Sequence, residues 1–289
     1  MRSGKPGCET TLSTSNRTQL AVLGSPISHS KSPLLHAAAY RTLGLDWEFG
    51  AYEVTGATLA EFVSGCDASW RGLALTMPLK QDVFPLLDRI DRVAELTGAA
   101  NTLCFDQGLR LGFNTDVAGI VRCLADAGVT ALERVVVLGG GATARSALVA
   151  VGDLGASEVQ VYLRDPAKGD DLVRLADRVG VSLRVAPLDT LDRADSADLV
   201  VSTVPGHAEL AVAPSTALID SALLFDVAYA PWPTNPAATW LAGGGRAISG
   251  LGMLIHQALI QVRIFVAGDP ATPLPDEPAV LAAMRAAVA

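Results

Sequence analysis

The sequence has few cysteines, no concentration of basic charge and no long uninterrupted apolar run. Its four cysteines, Cys8, Cys66, Cys104 and Cys123, form no C-x-x-C pair, and no histidine stands at zinc-ligand spacing, so we expect reduced thiols in a cytosol. The formal net charge of -8 argues against a general nucleic-acid surface, which would need basic residues to neutralise phosphates. The most apolar late stretch, residues 251–266, is broken by polar side chains, so no membrane span is expected.

The N-terminal segment also lacks the apolar run of a signal peptide. Residues 1–18 are polar and rich in Gly, Ser and Thr, and we interpret them as a disordered tail. The chain has 289 residues, half of them apolar, which is enough for two domains with sizeable cores.

A glycine-rich turn is the most informative segment that is present. The apolar strand predicted over 134–138 runs directly into Gly139, and a helical pattern is established by Ser146. Gly139 permits a tight turn, Gly141 lets the backbone approach a pyrophosphate, and Ala144 is small enough for close helix packing. The first N-H groups of the new helix would then bind phosphate, so this turn predicts a dinucleotide-binding half.

The end of the next strand indicates which dinucleotide is bound. That strand, 158–163, is followed by Arg164, and Lys168 lies one helical turn beyond. Together these cations can hold a 2'-phosphate, which favours NADP over NAD. Asp165 lies between them and leaves two alternatives open, since it could bond a ribose hydroxyl or cap the following helix.

Strand and helix patterns alternate along the chain and predict an α/β protein. Predicted strands cover 19–23, 47–54, 72–75, 102–105, 134–138, 158–163, 182–185, 199–202, 223–227 and 246–248. Predicted helices include 34–43, 57–64, 81–88, 117–127 and a late helix over 251–266. The apolar face of the late helix needs a covering partner, and we expect it to pack back on the first domain.

We therefore expect two α/β domains that flank a cleft, the second of the Rossmann type. The substrate-binding catalytic domain would cover 19–115 and be completed by C-terminal helices within 251–289. The NADP-binding domain would cover 116–250.

Polar side chains follow several predicted strands of the first domain. They lie at 28–33, 76–80, 100–102 and 114–116. In open α/β sheets ligands bind outside the carboxyl ends of strands, so hydroxyls, an amide, a lysine and a carboxylate would converge there. Such a set suits a small polyhydroxylated acid, because hydroxyls can donate to its carboxylate while an amide and a carboxylate bond its hydroxyls.

These segments resemble the shikimate dehydrogenases along nearly all of residues 21–268. The motifs that carry the resemblance are Ser-His-Ser-Lys-Ser-Pro at 28–33, Thr-Met-Pro-Leu-Lys at 76–80, Ala-Asn-Thr-Leu at 100–103, Asn-Thr-Asp at 114–116 and Gly-Leu-Gly-Met-Leu-Ile-His-Gln at 250–257. The resemblance implies reversible NADPH-dependent reduction of 3-dehydroshikimate to shikimate, in chorismate and aromatic amino acid biosynthesis, by a cytoplasmic enzyme.

The resemblance also implies site residues. The catalytic pair would be Lys80 and Asp116, with Lys80 as the principal proton donor. The implied substrate contacts are Ser30, Ser32, Thr76, Asn101, Tyr229 and Gln257. The implied cofactor contacts are Gly139, Gly140, Gly141, Ala142, Thr143, Arg164 and Lys168, with Gly250 and Met253 near the nicotinamide. No metal is expected.

Departures from the family pattern keep other functions open. Ala74 stands where the family usually has an asparagine, Val117 replaces a glycine, and Asp165 replaces a threonine. An NAD-dependent quinate/shikimate dehydrogenase is one alternative, and a catalytically silent ligand-sensing module is another, although the presence of Lys80 with Asp116 argues against the latter. The sequence also leaves open whether the protein forms a homodimer.

Several of these residues also have simpler interpretations. Lys80 could be a solvated residue of a first helical turn, and Asp116 could be a helix N-cap. Ser30 and Ser32 could be turn or capping residues, Tyr229 could be a packing residue, and Gln257 could face solvent. Finally, we interpret Met77 and Met253 as packing residues, and His29, His36, His207 and His256 as structural or incidental.

Overall fold

The computed structural model describes residues 17–289, which form two six-stranded sheets with helices packed against them. The tail predicted over 1–18 lies outside the described residues except for Arg17 and Thr18, and Thr18 already belongs to the first strand. Across residues 17–289, no helix has the length and apolar character needed to cross a bilayer. Within the same range, no group of three or more His, Cys, Asp or Glu side chains could hold a metal ion.

The first sheet is mixed, with the strand order β2-β1-β3-β5-β6-β4. Its strands are β1 Thr18–Gly24, β2 Trp47–Glu53, β3 Trp70–Leu75, β4 Arg89–Ile90, β5 Thr102–Asp106 and β6 Leu109–Phe113. Strand β1 lies between β2 and β3 and runs parallel to both, whereas β5 is antiparallel to β3 and β6. Strand β1 is mostly apolar because both of its faces are covered.

The helices around this sheet come from both ends of the chain. They are α1 Ser32–Thr42, α2 Gly56–Ser64, α3 Leu79–Asp82, α4 Arg92–Thr97, α10 Leu251–Ala267 and α11 Glu277–Ala286. Apolar side chains of α10, including Ile255, Leu259 and Val262, share one core cluster with Leu20 and Val22 of β1. The apolar face predicted for the late helix is therefore covered by the first sheet, as expected.

The second sheet is parallel throughout, with the order β12-β11-β10-β7-β8-β9. Its strands are β7 Arg134–Leu138, β8 Glu158–Leu163, β9 Ser182–Pro187, β10 Leu199–Ser202, β11 Leu223–Asp226 and β12 Arg246–Ser249. Its helices are α5 Asp116–Asp126, α6 Ala142–Asp153, α7 Asp170–Val179, α8 Thr216–Ser221 and α9 Asn235–Ala242. The strand order reverses between β8 and β10 on either side of β7, so the glycine turn lies at the topological switch point of a Rossmann-type sheet.

The structure corrects several predicted elements. The helix predicted over 81–88 is wrong, because α3 ends at Asp82 and a separate 3-10 helix, Phe84–Leu86, follows with Pro85 in its first turn. Strands β4 and β6 and helix α4 were not predicted. The hairpin between β5 and β6 turns at Gln107 and Gly108, whose φ angles are +48° and +78°, so a Gln-Gly pair makes a turn more often signalled by Asn-Gly.

Helices α5 and α10, which follow the two points where the chain crosses between sheets, pack directly on each other. A Cβ placed on Gly119 of α5 would come within 2.9 Å of the Gln257 Cβ, and one placed on Gly252 of α10 within 2.8 Å of the Cys123 sulfur. Each helix therefore has a glycine where the other comes closest, and this contact, which we call the joint, sets the distance between the two sheets.

Candidate active site

A cleft of about 400 Å³ lies between the two sheets, where loops that follow strands of both sheets converge. Eleven of the seventeen predicted site residues line it: Ser30, Ser32, Thr76, Lys80, Asn101, Asp116, Thr143, Tyr229, Gly250, Met253 and Gln257. Six predicted cofactor residues are not part of its lining: Gly139, Gly140, Gly141, Ala142, Arg164 and Lys168. These six belong to the β7–α6 turn and to the segment after β8.

Lys80 and Asp116 meet on one side of this cleft. The Lys80 Nζ donates to the Asp116 Oδ2 at 2.6 Å, and the two side chains are 13% and 4% exposed. Helix α3, which follows β3, supplies the lysine, and the first residue of α5, which follows β6, supplies the carboxylate. A buried pair with this geometry is held in place, which excludes the solvated interpretation of Lys80.

Asp116 is the first residue of α5 and does not cap it. The capping interactions come from Asn114, whose Oδ1 accepts from the backbone N-H of Asp116 at 2.9 Å and from that of Val117 at 3.4 Å. The Asp116 carboxylate is therefore free to face the cleft, while the positive end of the α5 dipole stabilises its charge.

Asn101 holds the other oxygen of this carboxylate. Its Nδ2 donates to the Asp116 Oδ1 at 2.8 Å and to the Thr115 Oγ1 at 2.8 Å, while its Oδ1 accepts from the Thr115 backbone N-H at 2.9 Å. Both carboxylate oxygens are thus engaged, one by the ammonium and one by the amide, and the carboxylate plane is fixed.

Gln257 is 7% exposed, so its solvent-facing interpretation is wrong. Its Nε2 donates to the Leu254 carbonyl at 2.9 Å, and its Oε1 lies 3.2 Å from the Asn101 Nδ2 and 3.3 Å from the Thr115 Oγ1. Because Gly119 lets α10 lie close to α5, this glutamine reaches the group around Asp116 from the late helix.

The two serines lie where α1 begins. Ser32 is the first residue of α1, and its backbone N-H donates to the Ser30 Oγ at 3.3 Å. Pro33 has no N-H, and the N-H groups of Leu34 and Leu35 donate to the Lys31 carbonyl, so the hydroxyls of Ser30 and Ser32, and not backbone N-H groups, are what α1 offers to the cleft. Hydroxyls can donate to a carboxylate ligand.

Tyr229 lies on the other side of the cleft, in the loop after β11. Burial raises the pKa of its phenol, so the hydroxyl stays protonated as a donor at neutral pH. The start of this loop is held by the fully buried Asp226, which accepts from the Thr234 Oγ1 at 2.5 Å and from the Ala228 N-H at 3.1 Å. Burial raises the pKa of Asp226 as well.

The glycine turn has the conformation that its sequence indicates. Gly139 has a φ of +102°, and a Cβ there would lie 2.5 Å from the Thr203 Oγ1, so only glycine fits without strain. A Cβ on Gly141 would meet no atom within 4 Å, and Ala144 is fully buried. Beyond β8, the Asp165 Oδ1 accepts from the Ala167 N-H at 3.2 Å, so the capping alternative for this aspartate is the one observed.

Some residues that line the cleft were not predicted from the sequence, and the environment predicted for Met77 was wrong. Thr203, Val204 and Pro205 line it from the loop after β10, and Gln261 lines it from α10. Gln261 follows Gln257 by one helical turn, and this i, i+4 spacing was the available signal. The packing interpretation of Met77 is wrong, because its side chain is 63% exposed at the cleft.

The chain is similar along most of its length to proteins of known activity. The profile of the shikimate dehydrogenase substrate binding domain matches residues 22–103. The shikimate dehydrogenase (NADP(+)) of Geobacter metallireducens is 36% identical over 262 residues, or 87% of this chain and 92% of that protein.

Solved structures give the same result. The shikimate dehydrogenase of Mycobacterium tuberculosis has a TM-score of 0.81 at 39% identity and covers 93% of this chain and 99% of its own. The shikimate 5-dehydrogenase of Thermus thermophilus, solved in complex with NADP(H) and shikimate, has a TM-score of 0.77 at 30% identity, with the same coverage of 93% and 99%.

Proposed function

This chain belongs to the shikimate dehydrogenase family, and from that premise we propose that it catalyses the reversible NADPH-dependent reduction of 3-dehydroshikimate to shikimate. The observation that carries the proposal is the buried contact between Lys80 and Asp116 at the cleft. Reduction of a ketone needs a proton donor within reach of the carbonyl oxygen, and a lysine held by a carboxylate can serve.

The residues of the glycine turn fit a dinucleotide. The backbone at Gly141 is open to a close ligand, and α6 begins at the next residue without a side-chain cap, which leaves its first N-H groups for phosphate oxygens. Because Asp165 is engaged as a cap, Arg164 is the charged group that the end of β8 offers to an adenosine ribose. This arrangement supports NADP over NAD.

The mechanism follows from the polar groups of the cleft. When bound, NADPH supplies the hydride that the carbonyl carbon accepts. We assign the transferred proton to the Lys80 Nζ, while the Asp116 Oδ2 accepts a hydrogen bond from that nitrogen and keeps it in place. The hydroxyls of Ser30 and Ser32 would bind the substrate carboxylate, and Thr76, Asn101, Tyr229 and Gln257 would bind its remaining oxygens.

The test is the rate of change of nicotinamide absorbance with shikimate and NADP in Lys80 variants. Lys80→Ala should lower kcat by about two to four orders of magnitude, the usual size of an acid-base contribution, with a smaller effect on substrate binding. Lys80→Arg keeps the positive partner of Asp116 but should be equally slow, because a guanidinium does not release its proton. The control is Arg193→Ala, which removes an exposed cation outside the cleft lining and should leave kcat unchanged. Near-normal turnover in Lys80→Ala would refute the assignment.

Ala74 keeps quinate as a second candidate substrate. It presents a methyl group to the cleft at a position where the family usually has an asparagine, so one contact to a substrate hydroxyl is absent. Rates with shikimate and quinate against NADP and NAD distinguish this candidate. A catalytically silent sensor would show no turnover with any of the four combinations.

The remaining parts of the proposal concern the whole molecule. We assign residues 19–115 with 251–289 to the substrate domain and 116–250 to the cofactor domain, a division supported by the two sheets. A cytoplasmic location is supported by the free thiols of Cys66, Cys104 and Cys123. The net charge of -8 supports the absence of a nucleic-acid partner. Homodimer formation is to be tested by sedimentation.

A further inference from the structure

A chain of buried hydrogen bonds leads from the core of the first domain to the cleft. His36 of α1 is fully buried, and its ring stacks on Phe49 with centroids 3.8 Å apart. Its Nδ1 lies 3.0 Å from the Tyr40 hydroxyl and its Nε2 lies 3.3 Å from the Gln261 Oε1. Burial lowers the pKa of His36 from 6.5 to about 3, so the ring is neutral and carries a single N-H.

Backbone groups fix the orientation of the Gln261 and Asn101 side-chain amides in this series of hydrogen bonds. The Gln261 Nε2 lies 3.1 Å from the Asn101 carbonyl oxygen, which can only accept, so that atom must be the nitrogen. The Thr115 N-H lies 2.9 Å from the Asn101 Oδ1 and can only donate, so that atom must be the oxygen. Neither assignment depends on the side chains around it.

The direction of the other bonds then follows. The Gln261 Nε2 donates its two hydrogens to the Asn101 carbonyl and to the Thr102 Oγ1, at 3.1 Å each, and the Oε1 of the same amide can only accept. The facing Nε2 of His36 must therefore carry the proton, and its Nδ1 must accept from Tyr40. Since the Thr102 hydroxyl accepts from Gln261, its own hydrogen goes to the Asn101 Oδ1 at 3.0 Å.

This order of donors determines which atom of the Asn101 amide faces the Asp116 carboxylate. With its Oδ1 held by Thr102 and by the Thr115 N-H, Asn101 can only present its Nδ2 to the Asp116 carboxylate. A reversed amide would place an oxygen against the Asp116 Oδ1 and loosen the carboxylate, whose other oxygen accepts from Lys80.

We propose that His36 and Gln261 are positioning residues, which direct the Thr102 hydroxyl hydrogen to the Asn101 Oδ1. This bond adds to the one from the Thr115 N-H, keeps the Asn101 Nδ2 on Asp116 and so keeps that carboxylate aligned with Lys80. The proposal rests on the proposed function for its kinetic effect but not for its geometry. His36 is buried and does not line the cleft, whereas Gln261 lines it with both amide hydrogens already donated to Asn101 and Thr102, so both residues act through Asn101.

The kinetic test uses two variants close in size to the native residues. Gln261→Met and Thr102→Val should each lower kcat for shikimate oxidation by about tenfold to a hundredfold, because a small displacement of a reacting group has effects of this size. The matched control is Tyr40→Phe, which removes a bond at the far end of the same chain. It should lower the midpoint of urea unfolding without changing kcat, since the His36 proton on Nε2 stays in place.

A second measurement does not need activity. In 15N-resolved NMR spectra of the full chain, His36 should show the Nε2-protonated neutral tautomer, without titration between about pH 5 and pH 8, the range in which an ordinary histidine changes charge. A proton on Nδ1, or titration in that range, would overturn the proposal. So would wild-type kcat in Gln261→Met, or an equal loss of kcat in Tyr40→Phe, which would indicate a purely structural role. If the wild type turns over neither shikimate nor quinate, the proposed function is wrong, but the His36 tautomer still tests the proposed direction of the hydrogen bonds.

Discussion

The neutral buried histidine should make the protein lose stability in acid, and the size of this loss can be worked from the structure. The pKa of His36 is about 3 in the folded protein and 6.5 when exposed, so the unfolded chain binds the proton first as the pH falls. The stabilisation is complete above pH 6.5 and is lost as the pH falls from 6.5 toward 3. At about pH 4.5, two units below 6.5, the loss is about 3 kcal/mol, at about 1.4 kcal/mol per unit.

The assay compares the wild type with His36→Phe, which keeps an aromatic ring against Phe49 but does not titrate. The free energy of unfolding in urea is measured for both proteins near pH 7.5 and near pH 4.5. Half-buried Asp91 and buried Asp226 have a raised pKa and act in the opposite direction, but both proteins contain them, so they cancel in the comparison. The wild type should lose about 3 kcal/mol more than the variant between the two pH values. Equal losses in the two proteins would refute the reasoning.

Three further predictions concern other sites. Gly250→Ala should cost at least about 3 kcal/mol of stability, because the new methyl would lie 1.9 Å from the Val227 carbonyl oxygen, and a wild-type urea midpoint would contradict this. Arg164→Ala should raise the KM for NADP by about tenfold or more, as expected for the loss of a charge-assisted hydrogen bond, but leave the KM for NAD unchanged. Equal effects on the two KM values would show that Arg164 does not bind the 2'-phosphate. Asp91→Ala should cost about 1–2 kcal/mol, since this carboxylate caps α4 by accepting from the Val93 and Ala94 N-H groups, and an unchanged midpoint would show that the cap contributes nothing.

Much of the fold follows from local pattern. The parallel strands of the second sheet are short apolar runs, and the order of strand, glycine turn and helix around Gly139 predicts their arrangement. Elements that depend on tertiary contacts could not be read in this way. Strand β4 has only two residues, Arg89 and Ile90, and is defined by its pairing with β6. The helix predicted over 81–88 failed because Pro85 ends the pattern of backbone hydrogen bonds.

The residues of the site divide in the same way, into those that a local sequence pattern indicates and those that depend on tertiary contacts. The motifs located Lys80, Asn101 and Asp116 because each follows or precedes a strand in a polar segment of its own. Gln261 was missed since it lies within an apolar helix, where one more glutamine reads as a break in the pattern. Its role depends on a partner far away in the chain, His36, and on a packing distance that no local pattern contains.

The joint between α5 and α10 determines how the molecule can open. Asp116 begins one of these helices and Gln257 lies on the other, so both belong to the pivot about which the two sheets would rotate. Groups near a pivot move little, whereas Tyr229 and the segment from Thr203 to Pro205 line the cleft from loops outside both helices and would move farther. Substrate could then enter or leave without separating the lysine from its carboxylate, and the proton donor would be ready before each closure.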